Sequence, residues 1–164
     1  MLRARDLPNG FVAFDEGELE PTDVTAGVNA DATGPRRIAG WKARYRRRDR
    51  THVRGPLIVE SIVELYGDDD AASDALASYR RAVTRTRGGL EREAIEAPPV
   101  GDERVAVTFV QPARVDDVLF YVVVWRTRNV TSILTVQGFE RGLTSDDARA
   151  LATAQDRAMA AAAR

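Results

Sequence analysis

Hydrophobic and polar positions alternate in short blocks along most of this chain, and in two places the period lengthens to that of a helix. Val118-Leu-Phe-Tyr-Val-Val-Val-Trp125 and Val130-Thr-Ser-Ile-Leu-Thr-Val136 are rich in β-branched and aromatic residues. The polar turn Arg126-Thr-Arg-Asn129 joins them, so they read as a hairpin. From Ile38 to Arg46, strand alternation puts Trp41, Ala43 and Tyr45 on one face, with Trp41 and Tyr45 expected in the core, and Lys42, Arg44 and Arg46 on the other. Leu57–Tyr66 is a further strand, and the polar loop Arg47–Pro56 makes these two a second hairpin. Arg104–Val110 is another strand, ended by Pro112, and Phe11–Phe14 is a short one after the turn Pro8-Asn-Gly10.

The helical period is clear in two segments. After Asp68-Asp-Asp70, the residues Ala72, Ala75, Leu76, Tyr79 and Val83 recur on one stripe of a helix that runs to about Arg87, with Gly88-Gly89 as its stop. Thr144-Ser-Asp-Asp147 resembles a capping box. It opens a helix through Ala162 with Ala148, Leu151, Ala152, Gln155 and Met159 inward. The pattern predicts one α+β domain over 1–164: a mostly antiparallel sheet of five to six strands with two amphipathic helices packed on one face. Residues 1–35 form an acidic, partly irregular segment, with a helical turn expected at Pro21–Ala26.

One strand is apolar on both sides. Val118, Phe120, Val122 and Val124 share one face, and Leu119, Tyr121, Val123 and Trp125 the other. Helices on a single face leave the second in need of cover. Leu119, Tyr121, Val123 and Trp125 are therefore a candidate apolar binding face, to be covered by the N-terminal segment, a ligand or a partner subunit.

Composition narrows the chemistry. With 164 residues and 44% hydrophobic content the chain can build one core. Its 24 cations and 25 acids nearly cancel, so binding to nucleic acid or membrane would have to come from a local patch. Cysteine is absent, which excludes disulfides, thiolate metal sites and a cysteine nucleophile. Lys42 is the sole lysine beside many arginines and alanines, a bias that fits a GC-rich genome and lowers the information in any single arginine. No apolar run reaches the roughly 18 residues of a membrane span. Met1–Asp6 lacks the apolar core of a signal peptide. The chain is thus cytoplasmic if Met1 is the native start, or has lost a leader.

No catalytic constellation stands out. His52 is the only histidine, but it lies among Arg47, Arg48, Arg50 and Arg54, and no serine sits at a nucleophile elbow, so it reads as a solvated loop residue. Glu60 and Glu64 share a strand face about 13 Å apart, too far for a glycosidase pair, and read as surface charge. Asp68–Asp70, Asp116-Asp117 and Asp146-Asp147 fall where caps and turns want carboxylates and lack calcium-loop spacing. Gly88-Gly89 follows a helix, opposite to the order of a phosphate loop. No catalytic residue, metal ligand or cofactor is expected. The one electrostatic anomaly runs from Arg36 to Arg54, where Arg36, Arg37, Lys42, Arg44, Arg46, Arg47, Arg48, Arg50 and Arg54 face Asp49 alone. Within it Lys42, Arg44, Arg46, Arg47, Arg48 and Arg50 form a candidate anion-binding surface. The bland alternative pairs this face with the acidic N-terminal segment or with Glu60 and Glu64.

Asp6-Leu-Pro-Asn-Gly-Phe11, Gly40-Trp41 leading to Tyr45-Arg-Arg47, Gly101-Asp-Glu103, Val124–Val130 and Leu151-Ala152 resemble a loose group of extracytoplasmic α+β domains from GC-rich bacteria, many of them lipoproteins. The resemblance implies a PsbP-like arrangement, a location outside the cytoplasm and a role in binding or assembly. The chain departs from the group at Thr127-Arg128, where a glycine usually precedes the asparagine. The expectation is a non-catalytic envelope module that holds a protein partner or small apolar ligand on a sheet face. The alternative is a binder of anionic polymer or anionic membrane through the basic patch. Nucleic acid is disfavoured as a partner, and a homo-oligomer is left open.

Overall fold

In a computed structural model the chain is described over residues 1–19, 37–49, 54–85 and 88–162. The expectations for Pro21–Ala26, Arg36, Arg50 and His52 lie outside these residues. A 3-10 turn at Ala4–Asp6 leads into β1 (Phe11–Glu18), β2 (Ala39–Arg47) and β3 (Ile58–Leu65), then α1 (Asp69–Thr84). After it come β4 (Glu93–Ala94), β5 (Glu103–Gln111), β6 (Val118–Thr127), β7 (Val130–Phe139) and α2 (Ser145–Ala162).

The strands form one seven-stranded sheet, ordered β1-β2-β3-β7-β6-β5-β4, with antiparallel pairing throughout. The sheet is larger than the five to six strands expected. The difference lies at the far edge, where Glu93–Ala94 pairs with Val107 and Thr108 in a strand too short to show alternation. β1 also runs four residues past Phe14, through Asp15, Glu16 and Glu18, around a bulge between Ala13 and Asp15. Acids and a bulge suit an edge strand, because both oppose pairing with another chain.

The helices lie on opposite faces of the sheet, a correction to the expected one-sided packing. Leu76, Tyr79 and Val83 of α1 pack with Val107, Phe109, Phe120, Val122, Val124 and Ile133. Ala148, Leu151 and Ala152 of α2 pack with Ala106, Val123, Trp125, Leu134 and Val136 on the other side. Strand alternation sends neighbours 122 and 123 to opposite faces, so a strand apolar on both sides requires a cover on each. Burying a side chain such as Leu76 or Val122 contributes about 1.5–3 kcal/mol, so both cores are substantial.

The caps follow the sequence. Asp68 accepts the Ala71 N–H at 2.8 Å, and Asp147 and Thr144 bond reciprocally at the start of α2. At the β6–β7 turn Arg128 takes φ 53°, the left-handed region that glycine would fill. Its N–H is held by Asp102 at 2.9 Å and its carbonyl accepts from Arg126, so flanking bonds replace glycine's freedom. Gly101 is required, because a Cβ there would stand 2.4 Å from the Arg126 carbonyl oxygen.

Candidate functional site

The two glutamates of β3 are buried, at 2% exposure for Glu64 and 1% for Glu60, which corrects their reading as surface charge. Both point toward the α1 side, since Ile62 between them packs in the α1 core. Glu64 accepts hydrogen bonds from Tyr79 at 2.7 Å, Tyr66 at 2.9 Å and Thr131 at 3.1 Å, and from the Arg37 guanidinium at 3.1 Å. Arg37 also donates to the Leu19 carbonyl at 2.8 Å. One carboxylate thus joins β3, β7, α1 and the ends of the chain on either side of 20–36. Burial, and then the Glu64 charge, push the Tyr66 and Tyr79 hydroxyls well above the usual phenol range, so both stay protonated donors.

Glu60 belongs to a charge ladder set by register. Arg44 lies opposite Glu60 on one side and Asp15 on the other, and its guanidinium meets them at 2.6 and 3.0 Å. Lys42 reaches the same Asp15 carboxylate at 3.4 Å. The pairs expected of the bland reading are therefore present: Lys42 and Arg44, among the five candidate anion-binding cations that lie in the described residues, are engaged by acids of β1 and β3. Arg46 and Arg48 are exposed, and Arg46 stands 5.8 Å over the exposed Phe14 ring. Arg47 is half-buried, 5.3 Å over Phe11.

These carboxylates are anchors. A general base needs a free lone pair aimed at a reacting proton, whereas Glu64 is committed to four donors and Glu60 to a guanidinium. Sequence contained part of this signal, since the β2–β3 hairpin already placed Arg44 near Glu60. It contained no hint that Tyr79, on a helix, would reach Glu64.

The expected apolar binding face is mostly closed by the chain itself. Val123 and Trp125 are buried beneath α2, and Trp125 donates its indole N–H to Asp156 at 3.1 Å. Leu119 and Tyr121 are partly buried against the same core. The N-terminal segment shares the covering, as Leu2 and Leu7 join this core and Tyr45 donates to the Leu2 carbonyl at 2.9 Å. Burial, then Glu16 and Asp6, push the Tyr45 hydroxyl up to about 12.

Apolar surface is open elsewhere on the sheet. Trp41 is 40% exposed and Leu65 37%, a departure from the expectation that Trp41 lies in the core. Trp41 pairs with Val63 and Ala39 with Leu65, so Trp41 and Leu65 are diagonal neighbours on the α2 side, beyond the helix. Ile38, 66% exposed, precedes β2, and its backbone N–H donates to the Leu65 carbonyl. At the opposite end of β2 and β3, Leu7, Pro8, Pro56 and Leu151 line a shallow cleft of about 280 Å³ with Asp6 and Asp147. It is smaller than sites that enclose a drug-sized ligand, at roughly 300–1,000 Å³.

No family model and no curated protein matches this sequence. Among solved structures, the fold is similar to the extracellular domain of PknH from Mycobacterium tuberculosis, with a TM-score of 0.57 and 11% identity over 76% of this chain. The chain spans 65% of the length of that domain. At this identity the likeness concerns fold: an antiparallel α+β domain of a kind found in a bacterial extracellular protein. Among the described residues no helix is long and apolar enough to cross a membrane.

Proposed function

We propose that the protein is a non-catalytic binding or assembly module, acting outside the cytoplasm, that holds a protein partner on one corner of its sheet. The observation that carries this reading is the diagonal pair Trp41 and Leu65, two of the five large apolar side chains that are exposed among the described residues. Tryptophan is among the residues most enriched in the energetic hot spots of protein interfaces. An exposed tryptophan on an open sheet face, rather than in an enclosed cavity, favours a protein over a small apolar ligand. The likeness to an extracellular domain supports the location.

A photo-reactive side chain at position 41, expressed in the native host, tests this. It should give one discrete heavier adduct, with none from the same group at the exposed Arg114. The double variant W41E/L65E should keep its circular dichroism and lose that adduct. Equal labelling from both positions would overturn the reading. So would turnover in a broad hydrolase screen that Glu60→Gln or Glu64→Gln abolishes.

A second reading rests on Arg46 and Arg48, exposed at the end of β2 with Phe14 beneath Arg46. These two would contact anionic polymer or anionic membrane. Binding of heparin or anionic vesicles should then weaken steeply with salt and disappear in R46E/R48E.

A further inference from the structure

We infer that Asn9-Gly10 is a self-modifying site, at which the asparagine amide is lost through a succinimide and the entry to β1 is rewired. The inference goes beyond the binding reading and rests on other residues. Pro8, Asn9 and Gly10 are all exposed in the turn before β1. The chemistry needs an asparagine side chain free to swing onto the next backbone nitrogen, an unbonded N–H there, and no Cβ in the way. All three conditions hold. Neither the Asn9 side chain nor the Gly10 N–H has a hydrogen-bond partner among the described residues, and nothing stands within 4 Å of where a Cβ on Gly10 would be.

Asn129 supplies the contrast. Its side chain is held by the Tyr66 carbonyl at 2.9 Å, and its follower is the β-branched Val130, already paired in β7. Two asparagines described in one molecule thus differ in each condition.

The step balances without any outside oxidant or reductant. The Gly10 amide nitrogen attacks the Asn9 side-chain carbonyl carbon, a C–N bond closes the succinimide, and the side-chain nitrogen leaves as ammonia with the proton from Gly10. Water then opens either imide carbonyl. One product is aspartate; the other is an isoaspartyl link, in which the main chain passes through the side-chain carbon and is one methylene longer.

The position gives the change a structural effect. The Gly10 carbonyl accepts the Arg48 N–H at 2.8 Å, and the next residue, Phe11, is buried and opens the β1–β2 register opposite Arg47. A longer backbone moves that carbonyl, and either product sets a new carboxylate one residue before the Gly10 carbonyl that Arg48 holds.

The test is to age the purified protein in mildly alkaline and mildly acidic buffer and map peptides by mass spectrometry with isoaspartate detection. Loss of the amide at Asn9 should be at least roughly tenfold faster than at Asn129, a barrier difference of about 1.4 kcal/mol. It should be faster in alkali, where the Gly10 nitrogen is more readily deprotonated, and absent in Asn9→Gln. Hydrogen exchange of the first β1 amides should speed up in the aged fraction alone. Equal rates at Asn9 and Asn129, or a rate at Asn9 indifferent to pH, would overturn the inference. Unchanged exchange in a fraction shown to carry isoaspartate would overturn its structural part.

Discussion

The α1 side of the sheet is two surfaces built by one rule. Over β5, β6 and β7 it is apolar, with Val107, Phe109, Phe120, Val122, Val124 and Ile133 under Leu76, Tyr79 and Val83. Over β1, β2 and β3 it carries Asp15, Lys42, Arg44, Glu60 and Glu64, joined by ion pairs and hydroxyl donors. Both halves are set by strand alternation, but they stabilise the fold differently. The apolar half gains from burial of area and tolerates substitutions of similar volume. The charged half gains only while every partner is present, because a buried charge that loses its mate is far costlier than a lost contact.

That contrast orders the expected effects. Glu64→Ala removes the acceptor that Arg37, Tyr66, Tyr79 and Thr131 share, and should cost about 3–5 kcal/mol in denaturant unfolding. A loss below about 1 kcal/mol would show that the cluster is dispensable. Leu76→Ala, in the apolar half, should cost about 2–5 kcal/mol, and Leu76→Met less than about 1.5. No similarly mild replacement is expected at Glu64, and finding one would break the comparison.

Glu60→Gln preserves shape but removes the charge facing Arg44, and should cost about 1.5–3 kcal/mol. A double-mutant cycle with Arg44→Met should recover much of that loss, since the cation goes too. The α2 side can be read by pH. Tyr45 ionises near 10.0 when unfolded and about 12 when folded, so from pH 10 to 12 the unfolded state holds fewer protons. Stability from this group is present below pH 10 and is lost as pH rises through the folded value. Tyr45→Phe should flatten that part of the alkaline unfolding curve, and an unchanged curve would place the loss on the other tyrosines. Smallest of all, Arg46→Ala at an exposed position should alter stability by no more than about 0.5 kcal/mol.

The same contrast explains what sequence revealed. The β6–β7 hairpin was legible because valine, isoleucine and aromatic residues crowd both runs, and the helices because Asp68 and Thr144 mark their starts. The two-sidedness of the helices was not, although Val122 and Val123 implied it, because periodicity shows that a face is apolar and not what covers it. β4 was invisible: Glu93 and Ala94 have no pattern, and they pair only because β5 offers a free edge. The burial of Glu60 and Glu64 was hidden for a related reason. A glutamate between isoleucines looks solvated until strand order puts β2 on one side and β7 on the other. Trp41 was misread in the opposite sense, since its face is correct but the cover ends before reaching it.

The seam between β3 and β7 also sets when the molecule can assemble. Ile62 pairs with Ile133, and between them in the chain lie α1 and three further strands. Emerging from a ribosome, the β1-β2-β3 meander therefore has no partner along β3 until Val130–Phe139 has been made. During that interval Val59, Ile62 and the two glutamates are exposed together, in an open-edged half-sheet. Closing so distant a pair is a slow step for antiparallel topologies, so β7 should be the strand whose docking turns a vulnerable nascent chain into a protected one.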